Sequence, residues 1–267
     1  MTKIDQLFSH LWADYSTLNP IANQIHNLLE TRGEKVLNDH VAFRTYNSSN
    51  INIEKFAQAF KDLGYKEKGD YHFTEKKLYA KHYEHEDPNQ PKVFISELLT
   101  EKFSPRFQEI VRNLTKQVPE SVINSWDFSV SGVQWNKIDS KTYEELRSES
   151  DYGAWLAVNG FRANHFTVNA NALKSFKSLQ ELNSFLKNNG FTLNKEGGEI
   201  KGTPAELLEQ SSTIANKVEF ELADGKFTLP GCYYEFALRY PKPDGRLYTG
   251  FIAASADKIF ESTNLAM

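Results

Sequence analysis

The sequence predicts an α+β fold. Two βαβββ modules share one central mixed β-sheet or half-barrel, with helices at the N-terminus and a helical insertion between the modules. Three observations point there. First, the chain states one pattern twice: Asn38-Asp39-His40-Val41-Ala42-Phe43-Arg44 opens a strand-like run whose following helix ends at Gly64, and Ala163-Asn164-His165-Phe166-Thr167-Val168-Asn169 opens another whose helix ends at Gly190. The strand histidine precedes the helix-ending glycine by 24 residues in the first copy and 25 in the second. Second, short strand-like runs follow each helix, which completes a βαβββ order in each copy. Third, Phe and Tyr are plentiful, at 19 and 12, as a β-rich core lined with aromatics requires.

The elements follow in order. Residues 4–32 read as two helices, because Ile4, Leu7, Phe8, Leu11 and Trp12 recur at helical spacing and Ile21, Ile25, Leu28 and Leu29 do so again. Asn19-Pro20 starts the second, with Asn as cap and Pro in the first turn. These helices occupy 1–35. The first module spans 36–98, with strand His40–Tyr46, helix 53–63 and strands near 70–74, 77–85 and 92–97. A mostly helical insertion fills 99–158, where Phe107, Ile110, Val111 and Leu114 have helical spacing and a second helix is expected near 140–147. The second module spans 159–255. It contains a strand at 163–169, a helix at 178–187, a turn at Gly197-Gly198, a short helical excursion at 204–209 and strands at 214–222 and 231–240. A C-terminal tail covers 256–267. The whole chain, 1–267, reads as one domain with a site shared between its modules.

Composition removes several classes of function. A chain of 267 residues, 40% hydrophobic, can bury a sizeable core. A net charge of −4 gives neither a nucleic-acid footprint nor a polybasic membrane arm. No apolar run is long enough to span a bilayer. The start, Met1-Thr2-Lys3-Ile4-Asp5-Gln6, lacks the basic-then-apolar order of a secretory signal. One cysteine, Cys232, excludes an internal disulfide and a cysteine-based zinc cluster. The expected location is the cytoplasm.

Strand alternation then sorts the side chains. His40, Ala42 and Arg44 share one face, and Val41, Phe43 and Thr45 the other. The second set reads as core. The first suits a cavity, since it sets a histidine and an arginine across an alanine. On the last strand Glu235, Ala237 and Arg239 share a face, with Tyr233 one step earlier. A carboxylate amid Tyr-Tyr-Glu-Phe-Ala-Leu needs a partner or a metal. Matching histidines in two repeats, with that carboxylate, make His40, His165 and Glu235 the candidate metal ligands. Two histidines and a carboxylate on one side of an ion form the facial triad of non-haem Fe(II) oxygenases. A 2-oxo acid can fill two of the open positions and O₂ the third. Blander readings stand beside this one: a strand histidine is usually a satisfied core or surface residue, Arg44 an ion-pair donor, and Glu235 a partner for Arg239. The cluster His82, His85, Glu84, Glu86 and Asp87 reads as a solvated hairpin end. Glu97 is a candidate fourth ligand, or an outer-shell residue, as the first-copy counterpart of the Glu235 region. Metal affinity should weaken as pH falls through the imidazole range, about 6.5.

These residues also carry a resemblance. Paired βαβββ modules with ligands on their first and last strands look like the vicinal oxygen chelate superfamily. More narrowly, Asn38-Asp39-His40-Val41-Ala42-Phe43-Arg44-Thr45, Asn164-His165-Phe166-Thr167 and Tyr234-Glu235-Phe236 resemble the 2-oxoadipate dioxygenase/decarboxylases, or 2-hydroxyglutarate synthases, a family once known only as a domain of unknown function. The resemblance runs from about residue 20 to 255. It implies Fe(II) held by His40, His165 and Glu235, with Arg44 as catalytic residue and substrate anchor. The implied reaction takes up O₂, releases CO₂ and converts 2-oxoadipate to 2-hydroxyglutarate in lysine breakdown. Zn or Ni can replace iron in a purified sample. The implied partners are a small 2-oxo acid and O₂, with no nucleic acid and no membrane. Two alternatives compete: a Zn- or Ni-dependent lyase, isomerase or hydrolase on the same scaffold, and a non-catalytic protein that binds a small ligand.

Overall fold

The structure is a computed structural model that describes residues 2–253 and 255. The tail expected at 256–267 lies outside the described residues. Helices α1 (Lys3–Leu18) and α2 (Pro20–Thr31) lead into β1 (Asn38–Tyr46), α3 (Ile53–Asp62), β2 (Lys66–Phe73), β3 (Leu78–Glu84) and β4 (Lys92–Leu98). The insertion carries α4 (Pro105–Thr115), α5 (Glu120–Ile123), α6 (Ser140–Glu149) and α7 (Asp151–Asn159). The second module follows with β5 (Ala163–Asn169), α8 (Leu179–Asn188), β6 (Lys201–Thr203), β7 (Leu208–Ser212), β8 (Lys217–Leu222), β9 (Gly225–Pro230) and β10 (Tyr233–Arg239).

Eight strands form one curled mixed sheet in the order β2-β3-β4-β1-β5-β10-β7-β6. The order is the same read outward from the centre in either direction. β1 and β5 pair antiparallel, β4 runs parallel to β1, and β10 runs parallel to β5. The central register sets His40 opposite Thr167 and Ala42 opposite His165, so a two-fold relation exchanges His40 with His165 and Ala42 with Thr167. The repeated helix ends match as well. Gly64 and Gly190 have φ of 96° and 86°, a conformation that favours glycine. The next residues, Tyr65 and Phe191, donate back to Phe60 and Leu186, each at 3.1 Å.

One face of the sheet is closed by helices. Phe43 packs against Phe56 and Phe60 of α3, and Phe166 against Trp12 and Tyr15 of α1. Val41, Phe43 and Thr45 are buried there, as the alternation required. The other face is left to carry polar side chains.

The second module departs from expectation in one region. On its outer side β10 pairs with β7, at 208–212, a strand not expected from the sequence, while the strand expected at 214–222 is β8. β8 leaves the main sheet and forms a separate hairpin with β9. β7 was hidden because it has no hydrophobic alternation. Its Gln210 bonds Glu235, its Ser211 donates to Asn183, and both are buried. The excursion at 204–209 shrinks to one 3-10 turn, Pro204–Glu206. α7 was hidden for the opposite reason: residues Tyr152 to Asn159 are all buried, and a helix apolar all round shows no amphipathic period.

Candidate metal centre

The open face of the sheet gathers His40 from β1, His165 from β5 and Glu235 from β10. All three are buried, and one ligand atom from each lies within 4.8 Å of the others. Their placement starts with two β-bulges. Asn38 and His40 pair with consecutive β5 residues, which leaves Asp39 without a partner across the ladder. Ala42 and Phe43 pair with His165 and Ala163, which leaves Asn164 extra on the other strand. A bulge re-aims the side chains beside it. Here each bulge residue turns to the histidine that follows it: Asp39 Oδ1 lies 2.8 Å from His40 Nδ1, and Asn164 Oδ1 lies 3.1 Å from His165 Nδ1.

These contacts fix the tautomers. A carboxylate or an amide oxygen only accepts, so each Nδ1 carries the proton and each Nε2 keeps its lone pair. His40 Nε2 then stands 3.6 Å from Glu235 Oε1, and His165 Nε2 stands 3.3 Å from Glu235 Oε2. Thr167 donates to His40 Nε2 at 3.1 Å, and Gln210 Nε2 donates to Glu235 Oε1 at 2.6 Å. Glu235 Oε2 is buried without a hydrogen-bond partner among the described residues. Lone pairs that converge in a buried site need a cation or a proton between them. Ligand atoms ~2.1 Å from a shared ion stand ~3.0 Å apart at right angles and ~3.4 Å apart in a tetrahedron. The observed gaps suit such an ion after a small adjustment.

The electrostatics agree. Burial lowers the pKa of His40 against the opposing pull of Asp39. Burial also lowers His165 well below its ordinary value, with the charges of His40 and Arg44 adding to the effect. Both rings are therefore poised neutral, as ligation requires. Burial pushes Glu235 up to about 8, with the Gln210 hydrogen bond opposing. Without a cation this carboxyl holds its proton, and a cation would displace it.

Other expected residues sort themselves. Arg44 is buried on the same strand face as His40, and its guanidinium lies 4.8 Å from the centroids of both the Tyr152 and Trp155 rings of α7. A cavity of about 270 Å³ opens beside Arg44 and Tyr152; it does not include the three candidate ligands. Arg239 does not pair with Glu235, because Asp39 takes it through two bonds of 2.7 and 2.8 Å.

Glu97 is not a fourth ligand: it points to the helical face and accepts from Ile53 N, at the start of α3, at 2.8 Å. Nor is it the counterpart of Glu235. Glu235 lies opposite Thr167 and Phe94 lies opposite Ala42, so the two-fold exchanges Glu235 with Phe94. The fourth position is filled by an apolar ring, packed on Phe251 at 4.9 Å. His82 is not solvated either. It is buried between Tyr71 and Glu84, at 2.9 and 3.1 Å. The His82/His85 cluster brings no three ligand atoms together among the described residues.

Sequence reasoning missed Asp39, Asn164, Gln210 and Phe94 as parts of this centre. The first two had a visible signal, an Asx directly before the histidine in both copies. The other two had none, since their roles depend on strand pairing.

The profile of the 2-oxoadipate dioxygenase/decarboxylase family matches residues 7–125 and 127–248. The chain belongs to this family. The family's rice member (Oryza sativa subsp. japonica), 2-oxoadipate dioxygenase/decarboxylase, chloroplastic/amyloplastic, is 34% identical over 97% of this chain and 78% of its own length. A solved rice structure, hydroxyglutarate synthase in complex with 2-oxoadipate, superposes with a TM-score of 0.91 at 34% identity, over 97% of this chain and 91% of that one. A Shewanella frigidimarina protein named as a hydrolase superposes with a TM-score of 0.90 at 49% identity, over 95% and 99% of the two chains. A glyoxalase superfamily protein from Ralstonia eutropha, 21% identical with a TM-score of 0.74 over 92% of this chain and 83% of that one, shares the fold. Among the described residues no helix is long and apolar enough to cross a membrane.

Proposed function

We propose that this chain is an Fe(II)-dependent dioxygenase that converts 2-oxoadipate and O₂ to 2-hydroxyglutarate and CO₂, with His40, His165 and Glu235 as metal ligands. The carrying observation is the convergence of two Nε2 lone pairs on a buried carboxylate whose Oε2 has no hydrogen-bond partner among the described residues. The reaction balances with a single loss of CO₂: six carbons enter, five leave in the product, and both oxygen atoms of O₂ are retained. When bound, iron would supply the electrons for O₂ and a chelation point for the substrate's ketone and carboxylate oxygens.

The protein's own groups do the rest. Arg44 offers a guanidinium held between two rings, suited to a bidentate grip on the substrate's far carboxylate. Phe94 and Phe251 give the pocket an apolar wall beside His40, which keeps water from the reacting atoms. Gln210 holds one oxygen of Glu235 and leaves the other free to ligate. Lysine breakdown in the cytoplasm is the physiological setting we infer, although the rice relative carries a plastid designation.

A metal-dependent hydrolase is the second reading, favoured by the name of the Shewanella protein. Phe94 in the fourth-ligand position counts against it. One experiment separates the two. The protein is purified without oxygen, loaded with Fe(II) and mixed with 2-oxoadipate in an oxygen electrode. Oxygen uptake with CO₂ and 2-hydroxyglutarate, and no added 2-oxoglutarate, is the expected result. No uptake with any 2-oxo acid, together with turnover under zinc or nickel, would transfer the chain to the second reading.

A further inference from the structure

We propose that Asp39 and Asn164 are the positioning residues of the centre and that they are deliberately unequal, with Asp39 and Arg239 holding His40 more firmly than Asn164 holds His165. The inference rests on the metal-site reading and adds the outer groups that set the two donors.

Both residues sit on a β-bulge, and both take the Nδ1 proton of the next residue. A metal-bound histidine needs such a partner to fix its tautomer and ring angle. The two partners differ in charge and in what stands behind them. Asn164 Oδ1 is neutral, and Asn164 Nδ2 has no hydrogen-bond partner among the described residues. Asp39 is an anion gripped by Arg239 Nε and Nη2 at 2.7 and 2.8 Å, with Lys92 at 3.9 Å. The same guanidinium reaches further. Arg239 Nη1 donates to the carbonyls of Tyr248 and Gly250 at 3.1 and 2.8 Å, and the next residue, Phe251, lays its ring edge-on to His40 at 4.8 Å. One ion pair therefore fixes both the back of the His40 ring and the segment that covers its front. Among the described residues His165 has no equivalent clamp; Tyr233 stacks on it at 4.5 Å.

The test uses Co(II), which binds such sites without reacting with O₂ as iron does, and reads affinity by chelator competition. Metal-free protein is examined in parallel by ¹⁵N NMR of the histidine rings. In the wild type both rings should show one tautomer, protonated at Nδ1. Asn164→Ala should mix the His165 tautomers, leave His40 unchanged and cost roughly tenfold in Co(II) affinity. Asp39→Asn keeps an acceptor for His40 but loses the ion pair, and should cost more, up to roughly 100-fold; both figures lie in the range for outer-shell changes. Because Asp39→Asn leaves Arg239 buried without its anion, Asp39→Asn/Arg239→Gln serves as a second variant and should show the same weakened metal binding. Folded variants with wild-type affinity and unmixed tautomers would overturn the inference. The NMR arm decides it even if wild-type protein takes up no Co(II), an outcome that would instead sink the metal-site reading.

Discussion

The two modules share a frame and differ in what they hang on it. Each contributes a strand histidine, a bulge with an Asx at its back, and a parallel partner strand. The partner strand of module two offers Glu235, and that of module one offers Phe94 at the same register. Arg44 of β1 exchanges with Asn169 of β5, a cation against an amide. Duplication alone would give four ligands around an ion and a symmetric pocket. Divergence at two positions leaves three candidate ligands on one side, an apolar wall on the other and a buried guanidinium, Arg44, at only one of the two matched positions. A closed, four-ligand ion suits Lewis-acid work, whereas three ligands leave room for a chelating substrate and O₂. The chemistry lies in the broken symmetry and the geometry in the preserved one.

The strongest way to break this picture is to remove what the modules hold jointly. His40→Ala, His165→Ala or Glu235→Ala should each cost more metal affinity than the ~10–100-fold typical of an outer-shell change, and oxygen uptake should fall to background. The protein should stay folded, because the core lies on the other face of the sheet. Metal content by elemental analysis and circular dichroism check both halves. Full metal occupancy in any of the three would mean that the cluster is not the binding site.

The difference between modules can also be erased. Phe94→Glu gives module one the carboxylate of module two. Metal should bind more tightly and oxygen uptake should disappear, because the added ligand takes a position that substrate needs. An iron-loaded Phe94→Glu protein that consumes oxygen like wild type would show that Phe94 does not keep the face open. Arg44→Lys probes the second broken position with a smaller effect. A lysine cannot reproduce the bidentate fork, and a charged hydrogen bond is worth ~1.5–3 kcal/mol, so kcat/KM for 2-oxoadipate should fall roughly 10–200-fold with metal content unchanged. Wild-type kinetics there would reduce Arg44 to a packing residue.

The histidines, the glutamate and the arginine were legible because the sequence repeats itself and because strand alternation forces His40 and Arg44 onto one face. Glu235 stood out as a carboxylate in an aromatic run. Glu97 misled because proximity to the end of a matching strand is not register: it stands three positions after Phe94, an odd offset that puts it on the opposite face of the sheet, where it caps α3. β7 could not be read, since its buried Gln210 and Ser211 bond to partners distant in sequence, Glu235 and Asn183. α7, which supplies the two rings around Arg44, shows no helical period because every side of it is covered.

The smallest effect concerns pH, and here the structure revises the sequence. Unperturbed histidines would set the loss of metal near pH 6.5. Burial moves both rings below that value, so the folded rings are largely neutral from about 6.5 upward, and the unfolded ones become so over about the next pH unit. Glu235 moves the other way, from an ordinary 4.5 up to about 8 through burial. An acid with a raised folded pKa costs stability as pH climbs: the unfolded chain ionises from 4.5 upward while the folded one must keep its proton until about 8. The unfolded histidines still shed protons just above 6.5, so it is from about pH 7 to about 8 that Glu235 makes the largest difference in bound protons between the folded and unfolded protein. In that window the metal-free protein should lose thermal stability with rising pH. Metal must displace the same proton to bind, so its affinity should rise over the window, by at most about tenfold per pH unit. Melting curves with and without Co(II) at about pH 7, 7.5 and 8 should therefore diverge upward. Parallel curves would mean that Glu235 is already ionised without metal, held by a partner other than Gln210, and that module two does not store the proton its buried carboxyl implies.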